Sequence, residues 1–277
     1  MALELYKDTE AFLQDNRAAL ERDPLKLNMI WRNVLTGKTA ETGLFAAKVF
    51  HSGGSLLAIR TDHFPMVLYA WGEKLDEMAQ TLAAHFAQAG AFPPGVNGAP
   101  DATAAFARQA VDMGAVYRLK HDLDLMCCES PSGIPVRDTG MAYIRDIDYD
   151  LTEYIMGFYS DVKKQITRQE AQKQAEQFKD SDMLLCCVDN WDVVSIAMMS
   201  APLDMIQAMC ISLVYTPPQY RNQGYATACV NKLVDDAFAR GNKKVFLYAE
   251  NPAAIAVYKK IGFAPIHRFV EYERVEA

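Results

Sequence analysis

Two stretches carry residue types and spacings that could do chemistry. The first runs from Tyr215 to Ala226, Tyr-Thr-Pro-Pro-Gln-Tyr-Arg-Asn-Gln-Gly-Tyr-Ala. An apolar segment ends there, two prolines turn the chain, and Arg221-x-x-Gly224-x-Ala226 opens a helix. The first-turn N–H groups of a helix have no partners inside it and sit at the positive end of its dipole. Phosphate oxygens are favoured at such a place, the dipole alone contributing up to ~2 kcal/mol. Gly224 removes the Cβ that would hold a phosphate off the backbone, and Ala226 keeps the next turn small. The Arg221 guanidinium adds a charge-assisted donor. Arg221, Asn222, Gln223, Gly224, Tyr225 and Ala226 could in this way bind a diphosphate. Taken alone, the same pattern also suits an ordinary tight strand-to-helix turn.

The second stretch is Glu250-Asn251-Pro252 and the segment through Gly262. Asn251 reads as a helix cap and Pro252 as the first helical residue. Ala254, Val257, Tyr258 and Ile261 share one face of that helix, which turns Tyr258 inward from an otherwise small and aliphatic stripe. Taken alone, such a tyrosine reads as an amphipathic core residue with its hydroxyl satisfied elsewhere. Glu250, at the strand end, reads as a solvated carboxylate.

The elements that must position these residues alternate along the second half. Met141–Ile147 reads as a strand, Asp148–Val162 and Thr167–Lys179 as helices. Met183–Val188 and Val193–Ser200 are apolar runs joined by the turn Asp189-Asn190-Trp191-Asp192. Ile206–Tyr215 is a third apolar segment. The helix after Gly224 places Ala226, Cys229, Val230, Leu233, Val234, Ala237 and Phe238 on one face and stops at Gly241. Lys243–Ala249 and Pro265–Tyr272 close the half as strands.

In order and spacing, Arg221–Ala226 and Asn251…Tyr258 resemble the GNAT superfamily of acyl-CoA-dependent N-acetyltransferases, over Met141 to about Glu273. The resemblance implies an α/β (α+β) fold with a mixed, strongly twisted sheet, splayed between its fourth and fifth strands, and acetyl-CoA in that cleft. It assigns Leu213, Val214 and Tyr215 to the backbone that holds the pantetheine arm and polarises the thioester. It assigns Arg221–Thr227 to the pyrophosphate, Asn251 to a contact near the thioester, and Tyr258 to the general acid that meets the departing CoA thiolate. The implied reaction is direct attack of an amine on the thioester. A lysine-like amine costs about 4.6 kcal/mol to deprotonate at pH 7, so Glu250 is a candidate base by position.

The first half repeats the order of elements. Thr9–Leu20 and Pro24–Leu35 read as helices and Leu44–Phe50, Ser55–Arg60 and Pro65–Ala70 as strands. The helix Glu73–Ala89, a break at Phe92–Gly95, the helix Ala102–Asp112 and the strand Ala115–Met126 follow. This order suggests a second, degenerate domain of the same kind. Where its loop should lie stands Trp71-Gly72-Glu73-Lys74-Leu75, with an acid that would repel phosphate and no Arg-x-x-Gly-x-Ala. No acetyl-CoA site is expected there; Trp31, Trp71, Tyr69 and His63 could line a wall of a substrate cleft. The expected domains are 1–128 and 141–277, with 129–140, Pro-Ser-Gly-rich, as linker.

Composition narrows the functional classes. The net charge of −7 is spread evenly, with 12 basic and 15 acidic residues up to residue 125 and 16 and 20 beyond. No basic stripe exists to meet a nucleic-acid backbone. No stretch approaches 18 uninterrupted apolar residues, so no membrane span is expected, and the acidic start does not read as a secretory signal. The six cysteines lack zinc spacing and read as buried thiols in a reducing cytoplasm, with no metal site. The favoured function is N-acetylation of a small amine, amino acid or peptide, in a chain that could form a homodimer. Two alternatives remain open, a non-catalytic acyl-CoA-binding module and a protein-modifying acetyltransferase with the first half as docking domain.

Overall fold

The computed structural model describes residues 1–35, 43–61 and 64–275, so His63 lies outside the described residues. The chain divides into two compact units, Met1–Leu125 with Ile266–Ala277, and Met126–Pro265.

The first unit begins with β1 (Ala2–Leu5), α1 (Thr9–Leu20) and α2 (Asn28–Leu35). Asp8 caps α1, its side chain accepting from Ala11 N at 2.8 Å. Then come β2 (Leu44–His51), β3 (Gly54–Thr61), β4 (Met66–Gly72), α3 (Leu75–Ala89), β5 (Gly95–Gly98), α4 (Pro100–Val111) and β6 (Val116–Cys128). Strands β1 to β4 form an antiparallel meander, and β5 joins β4 in parallel. Helices α3 and α4 cover one face, burying Met78, Leu82, Phe86 and Phe106 against Val49, Leu56, Leu68 and Val96.

The second unit takes the end of β6, Met126–Cys128, and continues with β7 (Gly140–Tyr143), α5 (Thr152–Asp161) and α6 (Arg168–Phe178). Thr167 and Glu170 cap α6 reciprocally. Next are β8 (Leu184–Asp189), β9 (Asp192–Leu203), β10 (Ala208–Tyr215), α7 (Tyr225–Ala239), β11 (Lys244–Ala249) and α8 (Pro252–Ile261). Strands β7 to β10 are antiparallel neighbours, and β11 joins β10 in parallel. On one face α7 and α8 bury Val230, Leu233, Val234, Tyr258 and Ile261 against Leu185, Ile211, Val245 and Leu247. On the other, Tyr154 and Ile155 of α5 pack with Leu184, Ile196, Leu213 and Tyr215. All six cysteines lie in this unit, buried and outside any disulfide. Burial pushes the Cys127 and Cys187 thiols up to about 11 and Cys186 up to about 12.

The chain ends in β12 (Ala264–Val275), which pairs antiparallel with β5 from Val270↔Gly98 to Glu273↔Gly95. The last strand, grouped by sequence with the second half, thus belongs to the first unit from Ile266 onward. The segment read as a linker is held within the second unit. Ser132 N donates to Ile261 O at 2.9 Å, Thr139 Oγ1 to Val188 O at 2.9 Å, and Lys244 pairs with Glu129 at 2.6 Å. Two strands escape the sequence reading, β1 and β5, each four residues long. Among the described residues no helix is long and apolar enough to cross a membrane.

Candidate active site

The site is organised by a lapse in sheet pairing. Strands β10 and β11 pair over Ala208↔Lys244, Met209↔Val245 and Cys210↔Phe246, and no further. Both strands run on past that point, to Tyr215 and to Ala249, and so splay apart. On its other edge β10 loses register with β9 between Ser212 and Tyr215. Leu213 sits there in left-handed backbone at φ 51°. This is a β-bulge, and it re-aims the side chains. Ile211 and Val214 pack toward α7, while Leu213 and Tyr215 pack toward α5. Backbone groups of Leu213 and Val214 are thereby released from the ladder at the mouth of the splay. Gly157 of α5 makes room for the Tyr215 ring, since a Cβ there would lie 2.2 Å from the Tyr215 hydroxyl oxygen.

The loop after β10 turns through Pro217 and a short 3-10 helix, Pro218–Tyr220, to reach α7. Asn222 takes φ 60° and Gly224 φ 88°. From Asn222 to Thr227, six consecutive backbone N–H groups donate to no carbonyl and no side chain among the described residues. The space a Gly224 Cβ would fill is open, its nearest neighbour being Arg137 Cβ at 3.8 Å. Arg221 lies with its guanidinium 5.8 Å from the Tyr215 ring centre, donates Nε to Thr216 O at 2.9 Å and pairs with Asp161 at 2.7 Å. The Gln223 side chain donates to Gln219 O at 3.0 Å. Tyr225 is buried and its hydroxyl donates to Asp189, so this residue presents only its backbone to the loop's outer side. Ala226 and Thr227 are half-buried. The donor set, six amides and a guanidinium around an open glycine, fits a phosphate group.

Asn251 caps α8, its side-chain oxygen accepting from Ala253 N at 2.8 Å. Only its amide nitrogen is left to meet a ligand. Tyr258 is 8% exposed and packs against Phe263 at 5.9 Å between ring centres. Burial alone pushes its hydroxyl up to about 12, and no other described group hydrogen-bonds it. Glu250 is exposed just beyond β11.

Three residues around the loop were not singled out by sequence. Asp189 and Asp192, at the two ends of the β8–β9 turn, accept hydrogen bonds from Tyr225 and Tyr220 and clamp that hairpin to the loop. Arg137 lies over the Tyr225 ring, 4.4 Å from its centre. The polar turn at 189–192 was legible; its contact with the loop is non-local and carries no local signal.

The corresponding places in the first unit are closed. Glu73 N donates to Gly53 O at 3.2 Å, so the β2–β3 turn fills the region after β4. Gly72, at φ 83°, has no room for a Cβ, which would lie 2.0 Å from Gly53 O. Asp76 and Glu77 stand in the first turn of α3. Pairing of β4 with β5 also covers three residues, but it ends at Leu68↔Gly98 because β5 itself ends there. The hollow there, lined by Leu68, Tyr69, Ala99, Met29, Ile30 and Phe269, measures only about 10 Å³, no more than one water needs. Helix α4 opens with Ala99-Pro100 and carries Phe106 as many residues after its proline as Tyr258 lies after Pro252. Trp31 is a core residue, its indole N–H donating to Leu20 O at 3.3 Å, while Tyr69 and Trp71 are half-buried and 5.8 Å apart.

Residues 149–263 match the model of the Acetyltransferase (GNAT) family. Among solved structures, the chain is similar to an acetyltransferase of the GNAT family from Colwellia psychrerythraea, at 12% identity over 99% of both chains with a TM-score of 0.59. It is similar to a GCN5-related N-acetyltransferase from Kribbella flavida, at 15% identity over 90% of this chain and 96% of the other, TM-score 0.56. It is also similar to a tandem GNAT protein from the clavulanic acid biosynthesis pathway, at 15% identity over 99% and 98%, TM-score 0.54. At these identities the likeness is one of fold, and it spans both units. No curated protein matches the chain.

Proposed function

We propose that the second unit, in which residues 149–263 match the GNAT acetyltransferase family, moves the acetyl group of acetyl-CoA onto a primary amine of a small molecule, amino acid or peptide. The observation that carries the proposal is the row of six uncommitted amides at Asn222–Thr227 beside the lapse in β10–β11 pairing. These amides, with Arg221, hold the diphosphate. Backbone groups of Leu213 and Val214, freed by the bulge, with those of Tyr215 where β10 regains register, hold the pantetheine arm and polarise the thioester carbonyl. One well-aimed donor of this kind contributes about 3 kcal/mol to the transition state. The Asn251 amide nitrogen adds a contact near the thioester.

The bound cosubstrate supplies an acetyl thioester that a neutral amine attacks directly. Glu250 takes the proton the amine must lose, directly or through water. Tyr258 gives a proton to the departing sulfur. Its hydroxyl is protonated at any pH near neutrality and is committed to no other partner, which suits a donor. The test is to incubate the chain with acetyl-CoA and a panel of amines, following free thiol release and acetylated product by mass spectrometry. Acetyl-CoA-dependent product is expected. Binding without transfer to any amine would reduce the unit to an acyl-CoA-binding module, and absence of binding would overturn the proposal.

A further inference from the structure

The segment from Glu129 to Thr139 runs across the second unit and is fastened at both ends. Ser132 N is bonded to the last turn of α8 and Thr139 Oγ1 to β8. Between them Ile134 packs on the core that α7 and α8 bury. This course delivers Arg137 to the start of α7. Its guanidinium lies 4.4 Å from the Tyr225 ring centre. Nη1 is 3.4 Å from Gln223 O, and Nη2 is 3.5 Å from Asp189.

Both polar contacts are at the long end of the hydrogen-bond range. A guanidinium has five N–H donors, so most of its capacity is uncommitted, and the side chain is 42% exposed. The facing carboxylate, Asp189, also accepts from the Tyr225 hydroxyl. The loop's own cation, Arg221, is already paired with Asp161 at 2.7 Å. A second cation beside the open amides is therefore what a polyanionic ligand needs, and the aromatic seat orients the fork without neutralising it.

We infer that Arg137 is a phosphate-binding residue of the acetyl-CoA site, contributed by the segment that precedes β7. The inference rests on the reading of Asn222–Thr227 as the diphosphate cradle. Arg137 exchanges its long contact with Asp189 for phosphate oxygens, either of the diphosphate or of the 3′-phosphate.

Arg137→Ala, Arg137→Lys and the exposed control Arg145→Ala are compared with the wild-type chain. Acetyl-CoA affinity is measured by calorimetry, and KM for acetyl-CoA, its 3′-dephospho form and acetyl-pantetheine by thiol release. Arg137→Ala is expected to bind acetyl-CoA about tenfold more weakly, about 1.4 kcal/mol, with a shallower salt dependence and an unchanged KM for acetyl-pantetheine, which has no phosphate at this position. Arg137→Lys recovers part of the loss, and Arg145→Ala matches wild type. A loss that persists with the 3′-dephospho donor assigns the contact to the diphosphate, and one that vanishes assigns it to the 3′-phosphate. Unchanged affinity in Arg137→Ala overturns the inference while leaving the cradle intact. An equal loss on acetyl-pantetheine also overturns it, by reducing Arg137 to packing. A wild-type chain that binds no acetyl-CoA removes the cradle itself.

Discussion

The two units place the same elements in the same order, with three antiparallel pairings followed by one parallel pairing that covers three residues. They part at a few atoms. Past the parallel strands, the second unit has an open glycine and six free amides, whereas the first has Gly72 pressed on Gly53 and acids at the start of α3. One helix later, the second unit has Asn251-Pro252 and a buried tyrosine hydroxyl, the first Ala99-Pro100 and Phe106. The order and pairing of the strands are thus a frame that survives without its chemistry. What makes it a candidate catalyst is a few uncommitted backbone donors and one uncommitted hydroxyl.

The sharpest way to break this contrast is to exchange the roles of the two glycines. Gly224→Val is expected to weaken acetyl-CoA binding by roughly 100-fold or more, since several charge-assisted contacts of about 1.5–3 kcal/mol each are blocked together. Calorimetry with a melting curve checks this, and retained binding would remove the loop from the site. Gly72→Val should leave that affinity unchanged and lower the melting temperature, because its Cβ meets backbone.

Next in size is Tyr258→Phe. Turnover should fall on the order of 100-fold with acetyl-CoA affinity kept, as expected for loss of a general acid. Steady-state kinetics on a confirmed amine tests it, and unchanged kcat would return Tyr258 to a packing role. The mirror change, Phe106→Tyr, should confer no activity and cost about 1–3 kcal/mol of stability by burying a hydroxyl without a partner.

Smaller still is a pH effect on stability. Tyr258 holds its proton in the folded chain to about pH 12, against 10 when unfolded. Its contribution is fully present below pH 10 and is lost as pH rises from 10 to about 12. Chemical denaturation across that window should show a steeper decline in wild type than in Tyr258→Phe; identical slopes would contradict the burial of the hydroxyl. The smallest effect expected is that of Glu250→Gln. Placed at an exposed strand end, it should lower turnover by no more than roughly tenfold, with the loss shrinking as the amine substrate's own pKa falls. A loss independent of amine pKa would assign the proton to another group.

The helices of the second unit were legible because burial repeats with the helical period, as from Ala226 to Phe238. Neighbouring motifs then made the loop specific. Strands β1 and β5 were not, since four residues show no period and β5 is bounded by glycines. The resemblance pointed to Leu213–Tyr215, but no residue type announces a leucine in left-handed backbone; packing from both faces sets the bulge. Arg137 was hidden because its segment is rich in Pro, Ser and Gly and shows no period, while Tyr225, Gln223 and Asp189, which it meets, lie far along the chain. For β12 the local pattern said strand, but the choice of partner is a long-range matter that local pattern does not encode.

That choice governs the order in which the molecule can assemble. Gly95–Gly98 must wait for Val270–Glu273, so a nascent chain cannot finish its first sheet until synthesis has passed through the whole of the second unit. Closing so long a loop carries an entropic cost and a slow step. Meanwhile β5 emerges with an unpaired edge, the kind of surface that invites mispairing. A chain cut after Pro265 would keep every residue of the candidate site and still leave that edge bare.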